Sequence, residues 1–203
     1  MRLYLASGNP HKAAEFQALS DAWARSTGGA RAEVRSAAEA GGMPPVVEDA
    51  GSFDGNALKK ARALHARLPP DAWALADDSG ICVEALGGEP GVESAYYAGP
   101  GGDSAANLAK LVEAMRGVPN GRRSAEYVCV LVLCGPRGLE RSFEGRCAGS
   151  LALEPRGAGG FGYDPLFVPA GMQATMAELP PEVKNRISHR GLAWIGLLSG
   201  LPR

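Results

Sequence analysis

The sequence lacks an excess of charge of either sign. It has 21 lysines and arginines against 22 aspartates and glutamates, which gives a formal net charge of -1. No general basic field is available to hold long nucleic acid, so an anionic ligand has to bind at a local site. Long apolar runs are missing too: the longest is around Tyr127 to Cys134, against roughly 20 residues needed to span a bilayer. The N-terminal residues lack the length and flanks of a secretory signal. We therefore expect a soluble, cytoplasmic protein that binds neither nucleic acid nor membranes.

Cysteine is scarce and is not arranged for metal binding or redox chemistry. The chain has four cysteines, and no two of them form a CxxC pair. A zinc site would need closer ligand spacing with partner histidines. Each cysteine lies in or beside an apolar or strand-like run, so we expect buried, reduced thiols.

The pattern of apolar residues predicts an α/β protein. A chain of 203 residues, 45% of them hydrophobic, suits one domain or one two-lobed unit. No internal repeat, low-complexity tract or long linker divides it, so residues 1–203 are expected to form a single unit. Strands are predicted at 2–6, 32–36, 73–76, 81–85, 124–134 and 139–153, and helices at 10–25, 54–67, 104–116, 181–186 and 188–199. A sheet that includes antiparallel pairs follows from the connection at 135–138.

The first segment that can carry chemistry is Ser7-Gly8-Asn9-Pro10-His11-Lys12, between a strand and a helix. Backbone N–H groups and the helix dipole at such a start favour an anion, and Gly8 allows close approach of a ligand. Lys12 lies in the first turn, where a positive charge is mildly unfavourable unless it also faces a phosphate. The glycine and lysine spacing is not that of a Walker A loop. The alternative is a capped surface helix with a solvated lysine.

Acidic residues form the second candidate group. Asp77 and Asp78 follow an apolar run, where carboxylates are costly unless they are paired or bound to metal. In a strand they would point to opposite faces, so that one serves a site and the other holds the loop. Glu48 could supply a second carboxylate to Mg²⁺, which one or two carboxylates and substrate phosphates usually hold, and Lys59 could face the same site. The alternatives are a turn whose aspartates accept backbone N–H groups, and solvated charges at Glu48 and Lys59.

Two later segments are typical of nucleobase binding. In the glycine-rich run 155–165, an aromatic face can stack on a base and Asp164 can accept a hydrogen bond from its edge; a β-bulge with core aromatics is the alternative. Lys184 and Arg190 could donate to a purine 6-keto oxygen, whereas a 6-amino group would place donors against donors. Ser188 is predicted to cap the last helix, which puts His189 in its first turn. A lone histidine there is more often structural.

The chain resembles the Ham1-like family, also called the inosine triphosphate pyrophosphatase family. The resemblance extends from Ser7 to Ala193. It depends on three long runs, ALADDSGICVEALGGEPGV, PRGAGGFGYDPLF and EVKNRISHRGLA, and on the similar segment SFDGNALKKA. Joint occurrence of these runs by chance is implausible.

The resemblance implies an elongated mixed sheet with flanking helices, two lobes around a central cleft, and a homodimer. It implies Mg²⁺-dependent hydrolysis of non-standard purine nucleoside triphosphates (ITP, dITP, XTP) to the monophosphate and pyrophosphate, which cleanses the nucleotide pool. Asp78 would be the general base or a metal-linked carboxylate, and Glu48 a metal ligand. Substrate would be bound by Ser7, Gly8, Asn9, Lys12, Ser79, Phe161, Gly162, Tyr163, Asp164, Lys184, His189 and Arg190.

Two departures from the family pattern are visible. Tyr96 stands where the family usually has arginine, and Gly55 where an acidic residue is common. Alternative functions are a pyrophosphatase for pyrimidine or modified nucleotides and a nucleotide-binding module without catalysis.

Overall fold

A computed structural model describes residues 1–29 and 31–200, except the side chains of Pro10 and His11. Its sheet has the order β2-β1-β3-β4-β5-β6. The strands are β1 Arg2–Leu5, β2 Glu33–Ser36, β3 Trp73–Val83, β4 Ser124–Gly135, β5 Leu139–Leu151 and β6 Phe167–Pro169. Strand β1 runs parallel to β2 and β3, and β6 runs antiparallel to β5. The mixed α/β sheet expected from the sequence is confirmed.

Five α-helices accompany the sheet in the described part of the chain. They are α1 Pro10–Thr27, α2 Phe53–His65, α3 Ser104–Ala114, α4 Pro181–Ile187 and α5 His189–Gly200. The Ser52 hydroxyl accepts the N–H of Gly55 at the start of α2, and the Asp103 carboxylate accepts two N–H groups at the start of α3. These caps satisfy backbone donors that the first turn of a helix leaves without partners. None of the described helices is long and apolar enough to cross a membrane.

Strand β3 differs from the sequence prediction. Two short strands separated by a turn were expected, but residues 73–83 form one strand with Asp77 and Asp78 in its middle. Carboxylates are tolerated there because cationic side chains pair with them, as described below. Gly80 lets the backbone at Gly91 approach the strand closely, since a Cβ atom at position 80 would overlap the carbonyl oxygen of Gly91. The short strand β6 was not predicted.

The chain divides into two compact units, and the division falls within β3, β4 and β5. Unit 1 contains residues 1–78, 129–145 and the part of the chain from Arg190 to the end of α5. In its core, the rings of Phe16 and Trp194 are 5.4 Å apart between centroids. The single two-lobed arrangement with a central cleft stays a prediction.

Unit 2 contains Ser79–Val128 and Arg146–His189. Its core includes Leu111, Tyr127 and Phe167. The guanidinium of the buried Arg123 closes one side of it by donating to four main-chain carbonyl oxygens at 2.8–3.0 Å, those of Met115, Val118, Leu151 and Ala152. These bonds give a charged donor to carbonyl groups that follow α3 and end β5, and the Met115 carbonyl also accepts the N–H of Val118 at 3.1 Å.

Candidate active site

Asp77 of β3 is a buried carboxylate at the centre of unit 1. Its Oδ2 atom lies 2.8 Å from Lys12 Nζ of α1 and 3.3 Å from Arg190 Nε of α5. The Cys129 thiol on β4 donates to Oδ1 at 3.4 Å. Burial works to raise the pKa of Asp77, but the charges of Lys12 and Arg190 outweigh it and hold that pKa below its usual range. Asp77 is therefore ionised at neutral pH.

Asp78 has a different set of partners, as the alternation of a strand requires. Lys60 Nζ of α2 lies 2.6 Å from Asp78 Oδ1 and 2.8 Å from Glu48 Oε2, so one ammonium bridges two carboxylates. The Asn56 amide lies 3.5 Å from Asp78 Oδ2. Burial raises the pKa of Asp78 to about 6, and the charges of Glu48 and Asp77 add to that rise against the opposing effect of Lys60.

Asn56 also connects this carboxylate to the preceding loop. The residue is buried, and its side-chain oxygen accepts the N–H of Ala50 at 3.0 Å. The same side chain therefore contacts Asp78 and fixes the backbone two residues after Glu48. Asn56 and Lys60 are four residues apart and so lie on one face of α2, which is buried at both positions.

The turn before α1 is held by its own hydrogen bonds. The Ser7 hydroxyl accepts the N–H of Asn9 at 3.1 Å, and the N–H of Lys12 donates to the Asn9 carbonyl at 3.2 Å. Gly8 is exposed, and a Cβ atom there would meet no protein atom within 4 Å. No contact within unit 1 therefore explains the glycine.

In unit 2, Asp164 organises the glycine-rich loop. Its Oδ2 atom accepts the Phe161 N–H at 2.9 Å and lies 2.6 Å from Lys184 Nζ, and the Tyr127 hydroxyl lies 3.4 Å from Oδ1. The Lys184 ammonium is 5.1 Å from the centroid of the Phe161 ring, which is 50% exposed. Gly160 is required here, because a Cβ atom would overlap the Asp164 carboxylate. The loop thus presents one exposed aromatic ring beside an ion pair.

Tyr163 and His189 lie deeper in unit 2. The Tyr163 ring belongs to the core, and its hydroxyl donates to the Ser94 carbonyl at 2.7 Å. The ring therefore packs in the core, as the core-aromatic alternative expected, and the contact of Tyr163 with a nucleoside stays a prediction. The buried His189 ring stacks on Tyr127 with centroids 4.5 Å apart and an interplanar angle of 5°. Ser79 and Gly162 are half-buried.

Asp78 and Glu48 are the carboxylates best placed to hold a metal ion. In the described residues, no group of three or more histidine, cysteine or acidic side chains is arranged to bind one. Magnesium needs fewer protein ligands, since phosphate oxygens and waters complete its shell. The carboxylates of Asp78 and Glu48 already converge on the Lys60 ammonium, so their oxygen atoms fit a Mg²⁺ ion that is also bound by phosphate.

Comparison with known proteins places the chain in a family. The model of the Ham1 family matches residues 3–199. The chain belongs to the Ham1 family. It is 57% identical over 197 residues to the dITP/XTP pyrophosphatase of Opitutus terrae, with 97% of each chain covered. The Ham1 protein of Staphylococcus aureus has a structure of TM-score 0.83 at 34% identity, covering 98% of this chain and 97% of its own. A nucleoside-triphosphatase / dITP/XTP pyrophosphatase from Mycobacterium abscessus has TM-score 0.75 at 42% identity, covering 98% and 99%.

The structure brings seven of the residues expected from the Ham1 resemblance together in three groups. Lys12 and Arg190 meet on Asp77, and Glu48 and Asp78 meet on Lys60. Phe161, Asp164 and Lys184 form the third group. Arg190 and Lys184, both expected at the base, pair with different carboxylates.

Lys60 was missed by the sequence prediction, which chose its neighbour Lys59. Lys59 is exposed and forms an ion pair with Asp49, whereas Lys60 is buried against Asp78. The signal that could have found Lys60 is the four-residue spacing from Asn56, which places both on the buried face of α2. Lys59 projects elsewhere because adjacent helical residues do not share a face.

The two departures from the Ham1 pattern have different settings. A Cβ atom at Gly55 would lie 2.6 Å from the Ala50 Cβ, so an acidic side chain there would displace the loop before α2. Tyr96 is 49% exposed. Its ring lies over Gly102, at 3.5 Å from where a Cβ atom of that residue would be.

Proposed function

We propose that this chain is a Mg²⁺-dependent pyrophosphatase that hydrolyses dITP, ITP and XTP to the nucleoside monophosphate and pyrophosphate. The observation that carries the proposal is the pair Asp77-Asp78. Asp77 holds Lys12, a cation suited to phosphate, and Arg190, while Asp78 shares the ammonium of Lys60 with a second acid, Glu48. The names of relatives such as the Opitutus terrae dITP/XTP pyrophosphatase support the substrate class.

In the proposed reaction, a water oxygen attacks the α-phosphorus and the bond from that phosphorus to the bridging oxygen breaks. Asp78 accepts the proton of the attacking water. Lys12 donates to the phosphates and offsets the negative charge that grows on the departing pyrophosphate. A Mg²⁺ held by Asp78 and Glu48 would supply further neutralisation of the phosphate charge.

Base binding is assigned to the loop that Asp164 organises. The exposed Phe161 ring offers a stacking face, and Asp164 and Lys184 beside it offer an acceptor and a donor. His189 and Arg190 complete the base contacts implied by the family resemblance. A donor facing the 6-position favours a 6-keto purine over adenine.

A substrate panel tests this function. Pyrophosphate release is measured with Mg²⁺ for ITP, dITP, XTP, GTP, ATP, dUTP and dTTP. We expect the highest kcat/KM for dITP, ITP and XTP. A preference for dUTP or dTTP would replace the base assignment with the pyrimidine alternative. Tight ITP binding without pyrophosphate release would favour the non-catalytic alternative.

The Asp78→Asn variant tests the catalytic assignment. Because Asn cannot accept the proton, we expect kcat to fall by about 100-fold or more, while dITP binding measured by calorimetry persists. Asp49→Asn is the matched control, since Asp49 is an exposed carboxylate paired with Lys59. Turnover near the wild-type rate in Asp78→Asn would reject the role of Asp78.

We further propose a cytoplasmic homodimer, as the family resemblance implies. Sedimentation equilibrium of the purified chain tests the dimer against its monomer mass of 21.0 kDa. A species of monomer mass at micromolar concentration would contradict it.

A further inference from the structure

The role of Asp77 can be separated from that of its neighbour by its burial. Its side chain has no exposed surface, so it cannot contact a ligand directly. Both of its cations are residues assigned to substrate, Lys12 to the phosphates and Arg190 to the base. The two meet on a single oxygen atom, Oδ2.

Lys12 is placed at some energetic cost to the fold. It lies in the first turn of α1, where the helix dipole disfavours a cation. An ammonium has three N–H donors, and Asp77 accepts one of them. The side chain retains 23% exposure, so its remaining donors can reach a phosphate. The Asp77 carboxylate therefore holds the Lys12 ammonium near the start of α1, where the helix dipole alone would disfavour a positive charge.

Arg190 is held from two sides. Its Nε atom contacts Asp77, and its NH1 atom lies 3.6 Å from Glu15 Oε2 on α1. Its side chain is 6% exposed, so these acids fix the plane of the guanidinium. Because Lys12 and Arg190 share one acceptor atom, a displacement of either cation changes the position available to the other.

We propose that Asp77 is a positioning residue that couples the phosphate-binding Lys12 to the base-binding Arg190. The inference rests on the proposed function for the roles of those two cations. Asp77 takes no part in proton transfer. Its effect on the reaction passes through the placement of its two partners, so a change at the phosphate end alters discrimination at the base.

The Lys12→Met variant tests the coupling. Asp77 keeps Arg190 as a partner in this variant, so the fold retains one of the two ion pairs. If Lys12 acted only on phosphates, kcat/KM would fall by the same factor for dITP and dATP. We expect instead that the dITP/dATP ratio of kcat/KM changes about five-fold or more, because Arg190 moves toward the vacated side of Asp77 (about 1 kcal/mol). An unchanged ratio would overturn the coupling, and Lys59→Met serves as the control.

The Asp77→Asn variant supplies a measurement that needs no turnover. Amine labelling by reductive methylation is followed by mass spectrometry in the folded wild type and variant. We expect Lys12 to react several-fold faster in Asp77→Asn, because the ammonium loses its counter-charge, and Lys59 to react at an unchanged rate. Equal labelling of Lys12 would overturn the positioning role. If Lys12 is labelled faster in the variant but the wild type hydrolyses no triphosphate, the proposed function is wrong. The ion pair by which Asp77 positions Lys12 would still be supported. Should Asp77→Asn fail to fold, the Lys12→Met ratio decides.

Discussion

The Lys60→Met variant should lose stability in a manner that depends on pH. Lys60 is 10% exposed and bridges Asp78 and Glu48 at 2.6 and 2.8 Å. Methionine has a similar shape but leaves two facing carboxylates without their shared cation. Removing one partner of a buried ion pair costs about 3 to 5 kcal/mol, because the other charge stays buried without compensation.

The sign of the pH effect follows from the pKa of Asp78. Burial raises this pKa from 3.8 to about 6, so ionising Asp78 costs the folded protein about 3 kcal/mol. This stability is lost as the pH rises from about 4 to about 6. Without Lys60 the pKa rises further, which extends the loss to higher pH. At pH 5 Asp78 is mostly protonated in both proteins. We therefore expect about 3 to 5 kcal/mol of destabilisation at pH 8 and about 2 kcal/mol at pH 5.

Urea unfolding in the presence of a chelator measures both values. The three tryptophans, Trp23, Trp73 and Trp194, all lie in unit 1 with Lys60, so their fluorescence reports the unit that is perturbed. Lys59→Met is the matched control, because its ion pair with Asp49 is exposed and contributes little. Equal losses in the two variants, or a loss in Lys60→Met that does not grow between pH 5 and pH 8, would refute the reasoning.

Three further outcomes are expected from the described contacts. Arg123→Ala should destabilise unit 2 by about 3 kcal/mol or more in a thermal melt, since four hydrogen bonds from a charged donor are lost, two of them buried and two part-buried; a change in the melt no larger than that of a surface substitution would contradict this. Gly80→Ala should lower the melting temperature because its Cβ atom would overlap the carbonyl oxygen of Gly91, whereas Gly101→Ala, with open space around it, should not. Burial raises the pKa of Cys134 to about 11, so a thiol reagent at pH 8 should label it slowly until urea unfolds the chain, and fast labelling of the folded protein would show the thiol to be accessible.

The helices and most strands could be predicted because each depends on local signals. Asn9 before α1, Pro10 at its first position and the apolar spacing within it indicated that helix, and the structure has it at residues 10–27. The continuity of β3 could not be predicted in the same way. Two adjacent aspartates are typical of turns, and only the cations that pair with them make a buried strand tolerable at that point.

In the candidate site, too, residues in local motifs could be predicted from the sequence, whereas contacts between distant segments could not. The resemblance singled out Lys12, Asp78 and Arg190 as candidates by their motifs. It did not reveal that Asp77 connects two of them, because Lys12, Asp77 and Arg190 are far apart in the sequence and meet only through packing. The choice of Lys59 over Lys60 failed because helix phase, and not residue type, decides which lysine is buried.

Gly160 limits which substitutions the loop at residues 155–165 can accept. The backbone φ of this residue is +71°, and the space beside it is filled by the Asp164 carboxylate. In a library that randomises the whole loop, most variants would therefore replace Gly160 and could not form the loop. Variation confined to Phe161 keeps Gly160 and Asp164 in place while changing the exposed ring that we propose as the stacking face for a nucleobase.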